Sequence, residues 1–451
     1  MLSTQRSATE TFGVFLSTLI ERKMPVDVEQ MARTCVANNI GLGYAYRNDI
    51  FVARSTDITA RCDGEPLRGG ATLFARGTFS TPSGAAFSNT VLFGANRRSD
   101  TLGTLHVGQI AIATALALLE AHGYPQSRLL PAIVAGYEVG GRLDLAYGER
   151  VALAGFRSTP LFGAIAAAAT AAVAMALGPD QAASALGFAA CMAGGLLQPF
   201  EDGSDDPRLQ PGVAARLGLL AAEMAHSGSR SARNAVEGRC GLIRAVARCD
   251  CDPAQLTASL GEEWLVLNTT FKRYPVCAFA QTPIAAALGV KERIGRRAVK
   301  SISIALSPRE VAYPGLDNAG PYFSNTETNM SVLYCVAHTL VYGPPTTDAD
   351  LTKFRDPALE RLLECTRLVS DDDLQPLWTG IVIELENGEV VSGLQRPSSH
   401  ALTAEGAVQE MVREVLRLEP DYEQRLKAVN TFMSSLPALS PGDVTRLFAV
   451  Q

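Results

Sequence analysis

Apolar residues recur at helical spacing through the first 265 residues or so, and the rhythm changes after that. The periodicity predicts helices over 8–22, 27–45, 106–123, 127–147, 160–177, 180–198 and 211–227. Stops such as Gly123-Tyr124-Pro125 and Gly178-Pro179-Asp180 separate them. Several are rich in Ala and Gly, as in Ala164-Ile165-Ala166-Ala167-Ala168-Ala169. Small side chains let helix axes approach closely, so a dense all-helical domain over 1–265 is expected.

From Val299 to Leu306 the pattern alternates, with Ile302, Ile304 and Leu306 on one face and Ser301, Ser303 and Ala305 on the other, as in a half-buried strand. Gly380 to Leu385, then Glu386-Asn387-Gly388-Glu389, then Val390-Val391 predicts a β-hairpin with an Asn-Gly turn. Helices at 329–342 and 357–368, the second opened by Asp356-Pro357, complete an α+β domain over 266–400. Helices at 403–418, 421–434 and 441–449 return over 401–451 and can rejoin the first domain, which makes the α+β domain an insertion. The expected fold is therefore mainly α, a large all-helical domain with a smaller α+β lid domain. Two loops stand out: Glu201 to Pro211 joins two apolar helices, and residues 307–328 form a Pro-, Gly- and Asn-bearing connection long enough that function or disorder is its usual explanation.

Composition narrows the class. With 451 residues, 47% apolar and 19% charged, the chain can bury a large core, and about 150 residues per domain suggests two or three domains. A net charge of −6 and no uninterrupted basic run argue against nucleic acid as a partner. The nine cysteines, odd in number and scattered, read as reduced cytoplasmic thiols. Phe12 to Ile20 runs into Glu21-Arg22-Lys23 and reads as an amphipathic helix, not a signal peptide. Leu161 to Leu177 is uncharged but alanine-rich and short, so a buried helix is expected in place of a membrane anchor.

Common chemical motifs are missing. Gly41-Leu42-Gly43 lacks the third glycine of a dinucleotide fingerprint, and neither a phosphate-binding loop nor a Gly-x-Ser-x-Gly elbow occurs. The five histidines, 106, 122, 226, 338 and 400, never share a helical turn, and Cys249-Asp250-Cys251 has no second pair, so neither a metal nor another cofactor is expected. What remains is polar residues at helix starts. His106 opens one apolar helix and Arg157 precedes another, where anions are attracted. Tyr137 and Glu138 read as a helical tyrosine and its surface neighbour, Thr101 as a cap for the helix it precedes, and Asp202, Asp205 and Asp206 as a solvated loop.

Taken together, certain runs carry a resemblance. Asn89 to His106, then Val107-Gly108-Gln109, Gly136-Tyr137-Glu138-Val139 and Gly155-Phe156-Arg157-Ser158-Thr159 resemble the first domain of MmgE/PrpD proteins. Arg208-Leu209-Gln210-Pro211-Gly212, Glu237-Gly238-Arg239-Cys240-Gly241 and Lys272-Arg273-Tyr274-Pro275 extend the likeness over nearly the whole chain. That family includes 2-methylcitrate dehydratase, cis-aconitate decarboxylase and iminodisuccinate epimerase. The resemblance implies a homodimer doing metal-free chemistry on a small polycarboxylate.

It also implies roles: His106, Tyr313, Lys272 and Cys277 as catalytic groups, with Arg97, Asp100, Thr101, Arg157, Arg208 and Gln210 binding substrate. Several family positions differ. Arg97 stands where an acid is usual, Arg157 and Gln210 where histidines are, Pro207 where a lysine is, and Cys277 at a frequent histidine position. Guanidinium groups clamp carboxylates but do not deprotonate, so an anionic substrate persists with altered acid–base chemistry. Dehydration ranks first, epimerisation second and decarboxylation third. A chain that keeps the fold as a binding or assembly protein is the competing reading. The catalytic one needs the cationic tips gathered in a hollow between helical body and lid.

Overall fold

The computed structural model describes residues 6–64, 69–397, 405–417 and 421–450. It divides into two units: the described residues of Met1–Leu196, Arg208–Thr270 and Thr403–Gln451 form one, and those of Leu197–Pro207 and Phe271–Leu402 the other.

In the first unit, Ala8–Thr18, Val26–Ala45, Val107–His122, Leu129–Leu153, Ser158–Ala174 and Pro179–Met192 are helices near the expected positions. Two more, Ile50–Asp63 and Pro82–Gly94, lie where the apolar rhythm assigns none. Each has a readable start: the Asp49 side chain accepts from the Phe51 amide, and Thr81 caps a helix with proline in its first turn. Between them Ala71–Leu73 pairs antiparallel with Thr78–Ser80, a small two-stranded ribbon set among the helices of the first unit.

Every residue of Ser158–Ala174 is buried, which accounts for the uncharged stretch around Leu161; among the described residues no helix is long and apolar enough to cross a membrane. Gly41 and Gly43 belong to packing: a Cβ at Gly41 would press on Val412, and one at Gly43 on Phe93. The C-terminal helices Glu405–Leu416, Tyr422–Ser435 and Pro441–Phe448 thus belong to the first unit, and Ser440 caps the last in a reciprocal bond pair with Asp443. Residues 403, 404 and 418 of the expected helix lie outside the described residues, as does His400.

The second unit carries a four-stranded sheet in the order Thr366–Ser370, Val299–Leu306, Thr379–Leu385, Val390–Gln395. The strand at 299–306 runs parallel to the first and antiparallel to the third, with Ile302 opposite Ile383 and Ile304 opposite Ile381. All four of those isoleucines are buried, so one face of the sheet is core, and helices Gln281–Ile294 and Val332–Tyr342 pack in this unit. Gly388 takes φ 84° in the hairpin turn, a conformation that suits glycine.

Three expectations are corrected here. Residues 357–368 are not one helix: Pro357–Leu363 stops and Thr366–Ser370 becomes the parallel strand, because the β-branched and aliphatic residues there complete the sheet edge. Glu201 to Pro211 is mostly helical, Gln198–Asp202 and then Asp206–His226, with Pro211 inside the second helix near its start and costing it a single backbone bond. Residues 307–328 are built of short helices and internal bonds: Ser307 and Ser324 cap Pro308–Val311 and Asn325–Met330, and the Tyr322 hydroxyl donates to the Asn318 carbonyl.

Candidate active site

The segment between helix Pro82–Gly94 and helix Val107–His122 holds four of the expected residues and is pinned along its length. Asn96 accepts the Arg98 amide at 2.6 Å, and Ser99 donates to Gln109 at 3.0 Å. Thr101 exchanges backbone bonds with Thr270 at 2.8 and 2.9 Å, so it sits in a bridge and does not cap the next helix. Gly103, at φ 63°, turns the chain so that Leu102 and Leu105 pair. Asp144 then grips Thr104 through its amide at 2.7 Å and its hydroxyl at 2.8 Å. Arg97 is buried and left-handed at φ 56°, a cost that the surrounding structure has to overcome.

Asp100 is fully buried. Its carboxylate accepts from the Tyr137 hydroxyl and, at 2.7 Å, from the Asn39 amide. Burial and the neighbouring carboxylate push the Tyr137 phenol well above its ordinary range, so it remains the proton donor. The Asp100 carbonyl lies 3.1 Å from Nδ1 of His106. A carbonyl only accepts, so Nδ1 carries the hydrogen, and in the neutral ring Nε2 is the basic nitrogen. His106 is half-buried.

The helix starts that carry His106 and Arg157 meet through a hydrogen bond. His106 is the N-cap of Val107–His122 and Arg157 that of Ser158–Ala174, and the His106 amide donates to the Thr159 hydroxyl at 3.3 Å. Two long helices thus begin side by side, with their partial positive ends next to the imidazole and the guanidinium. Gln210 orients Arg157 through a 3.0 Å bond and donates in turn to the Leu196 carbonyl. Arg208 takes another direction: it donates to the Ala95 carbonyl at 3.2 Å and lies over the Phe51 ring.

In the second unit, Cys277 is half-buried, and its amide donates to the Asn329 carbonyl at 3.1 Å. Gln281 fastens the turn around it by bonding Tyr274 in both directions. The Tyr313 ring meets Phe279 edge-on at 5.0 Å and Phe200 at 6.3 Å. Lys272 is buried. Asp202, Asp205 and Asp206 are exposed.

Sequence reasoning set Tyr137 and Glu138 aside as structural residues and did not name Asn39; all three are buried. Tyr137 is helical as expected, but reading Glu138 as its surface neighbour is wrong because the whole middle of helix Leu129–Leu153 is enclosed. Glu138 accepts from the Val266 amide at 3.2 Å and faces Arg142 at 3.7 Å, while Arg142 donates to the Ala258, Ser259 and Glu263 carbonyls. Burial raises the Glu138 pKa to about 7, outweighing its backbone bond and Arg142. The i,i+4 spacing of Glu138 and Arg142 was the available signal.

The fold and its polar cluster thus define a two-unit, mainly helical protein with a mixed sheet in its C-terminal part. The chain belongs to the MmgE/PrpD family: the MmgE/PrpD N-terminal domain matches residues 10–252 and the MmgE/PrpD C-terminal domain residues 274–402. It is similar to "Cis-aconitate decarboxylase-like protein oryM" of Aspergillus oryzae, at 28% identity over 58% of each chain. It is also similar to "Cis-aconitate decarboxylase" of Aspergillus terreus, at 27% identity over 58% of this chain and 57% of that one. The matches span less than two thirds of these curated relatives.

Proposed function

We propose that this protein is a lyase acting on a small polycarboxylate, and that it removes water by taking a proton from the carbon next to a carboxylate. The observation that carries the reading is that the helix opened by His106 and the helix opened by Arg157 begin next to each other, joined by the bond from the His106 amide to the Thr159 hydroxyl. Arg157, held by Gln210, offers a planar cation to a carboxylate, and the helix ends add favourable potential. Nε2 of His106 accepts the proton; the C–H electron pair becomes the new C=C bond as the C–O pair leaves with the hydroxyl of the neighbouring carbon, which takes a proton from the imidazolium or from solvent and departs as water. Charge that develops on the substrate carboxylate is stabilised by cations already in place. Arg97, Asp100 and Thr101 shape the same loop. Lys272, Cys277 and Tyr313 enter this reading from the family resemblance alone.

A second reading, decarboxylation, is favoured by the names of the relatives. Incubation in deuterated water with citrate, 2-methylcitrate, cis-aconitate and iminodisuccinate, followed by NMR, separates the possibilities. A vinyl signal from a hydroxy acid supports dehydration, release of carbon dioxide supports decarboxylation, and deuterium uptake alone supports epimerisation. Inertness on all four, with no thermal shift from any di- or tricarboxylate, overturns the catalytic reading and favours the binding or assembly one.

A further inference from the structure

The buried cluster behind His106 has more structure than a loop anchor requires. Asp100 receives two donors from two different helices, Tyr137 of Leu129–Leu153 and Asn39 of Val26–Ala45. Asn39 also donates to the Cys35 carbonyl at 2.8 Å, which fixes its amide and leaves the other hydrogen for Asp100. Space for the pair comes from Gly108, where a Cβ would overlap both carboxylate oxygens of Asp100 and the Tyr137 hydroxyl. The backbone of Asp100 is what faces the imidazole, so whatever orients this residue orients the carbonyl that meets Nδ1.

We propose that Tyr137, assisted by Asn39, is a positioning residue: by holding the Asp100 side chain it sets the Asp100 carbonyl against Nδ1 of His106 and so selects the ring tautomer whose Nε2 accepts a proton. This rests on the role given above to His106, but it concerns the free protein and is measurable without substrate. The arrangement resembles the way a carboxylate or carbonyl behind an imidazole fixes tautomer and direction in enzymes generally. Here the side chain acts one step removed, through its own main chain. Tyr137 touches no substrate in this scheme.

The test uses the full-length protein with ¹⁵N-labelled histidine. Only five histidines are present, so the His106 ring is assigned by its loss in His106→Gln. Two-bond ¹⁵N–¹H spectra at pH 7.5 distinguish the two neutral tautomers. The proposal expects a hydrogen on Nδ1 in the wild type and a mixture of tautomers in Tyr137→Phe, which keeps the ring and removes the donor. Asn39→Ala, a milder change at a helical position, is expected to shift the ring in the same direction by less; it also serves if Tyr137→Phe does not fold. In turnover, kcat of Tyr137→Phe is expected to fall about 10-fold or more, with KM changed by less than about two-fold. A hydrogen on Nε2 in the wild type, or an unchanged tautomer in both variants, overturns the proposal. Absence of turnover on every polycarboxylate would count against the proposed reaction only, since the tautomer is read separately.

Discussion

Replacing the imidazole of His106 by an amide separates binding from chemistry. His106→Gln keeps a side chain that can donate to the Asp100 carbonyl but has no basic nitrogen, so turnover is expected to drop about 100-fold or more while a polycarboxylate still raises the melting temperature. Arg157→Lys keeps the charge and loses the fork. A KM increase of about 10-fold with little change in kcat is expected from steady-state kinetics, because a lysine is a point charge. Sequence alone singles out these two residues as candidates, since each stands at the start of a long apolar helix. It does not identify Tyr137 or Asn39, because a polar residue satisfied by a partner 37 or 61 positions away leaves no local pattern.

At the scale of elements, helix Leu129–Leu153 acts as a post to which separate segments are tied. Asp144 holds the turn at Thr104, and Glu138 with Arg142 holds residues 258–266. Glu138 is fully buried and titrates near 7 in the folded protein, above the ordinary glutamate value of 4.5. An acid whose folded pKa is raised binds its proton more tightly when folded, so its contribution is complete below pH 4.5 and is lost as pH rises to about 7. Chemical denaturation of wild type and Glu138→Gln at pH 5 and pH 8 is expected to show about 1–3 kcal/mol less pH dependence in the variant. Asp144→Ala strands the Thr104 amide and is expected to cost about 1–3 kcal/mol by the same measurement.

Element types follow from local rules where the rules are strong. The strand at 299–306 and the hairpin after 379 are legible from alternation and Asn387-Gly388. The parallel strand Thr366–Ser370 is not, because five residues beside a helix take their conformation from the sheet edge they complete. The same holds for Asp206 to Pro211, where proline and acidic residues suggest a loop but also suit the first turns of a helix.

For the whole molecule, the chain leaves the helical unit after Leu196 for Leu197–Pro207 and again after Thr270 for the second unit, then returns with its last helices. Gly41 receives Val412 from that returning segment, so Gly41→Leu is expected to lower the melting temperature of the helical unit by several degrees, as about 1–3 kcal/mol of overpacking does. Family membership carries the architecture, while the reaction proposed above rests on a few side chains at two helix starts. The most direct test of that claim is proton NMR in deuterated water with a hydroxy-tricarboxylate, comparing wild type with His106→Gln. A vinyl product formed by the wild type and not by the variant, at equal substrate binding, is the expected result. Equal product from both proteins would contradict it.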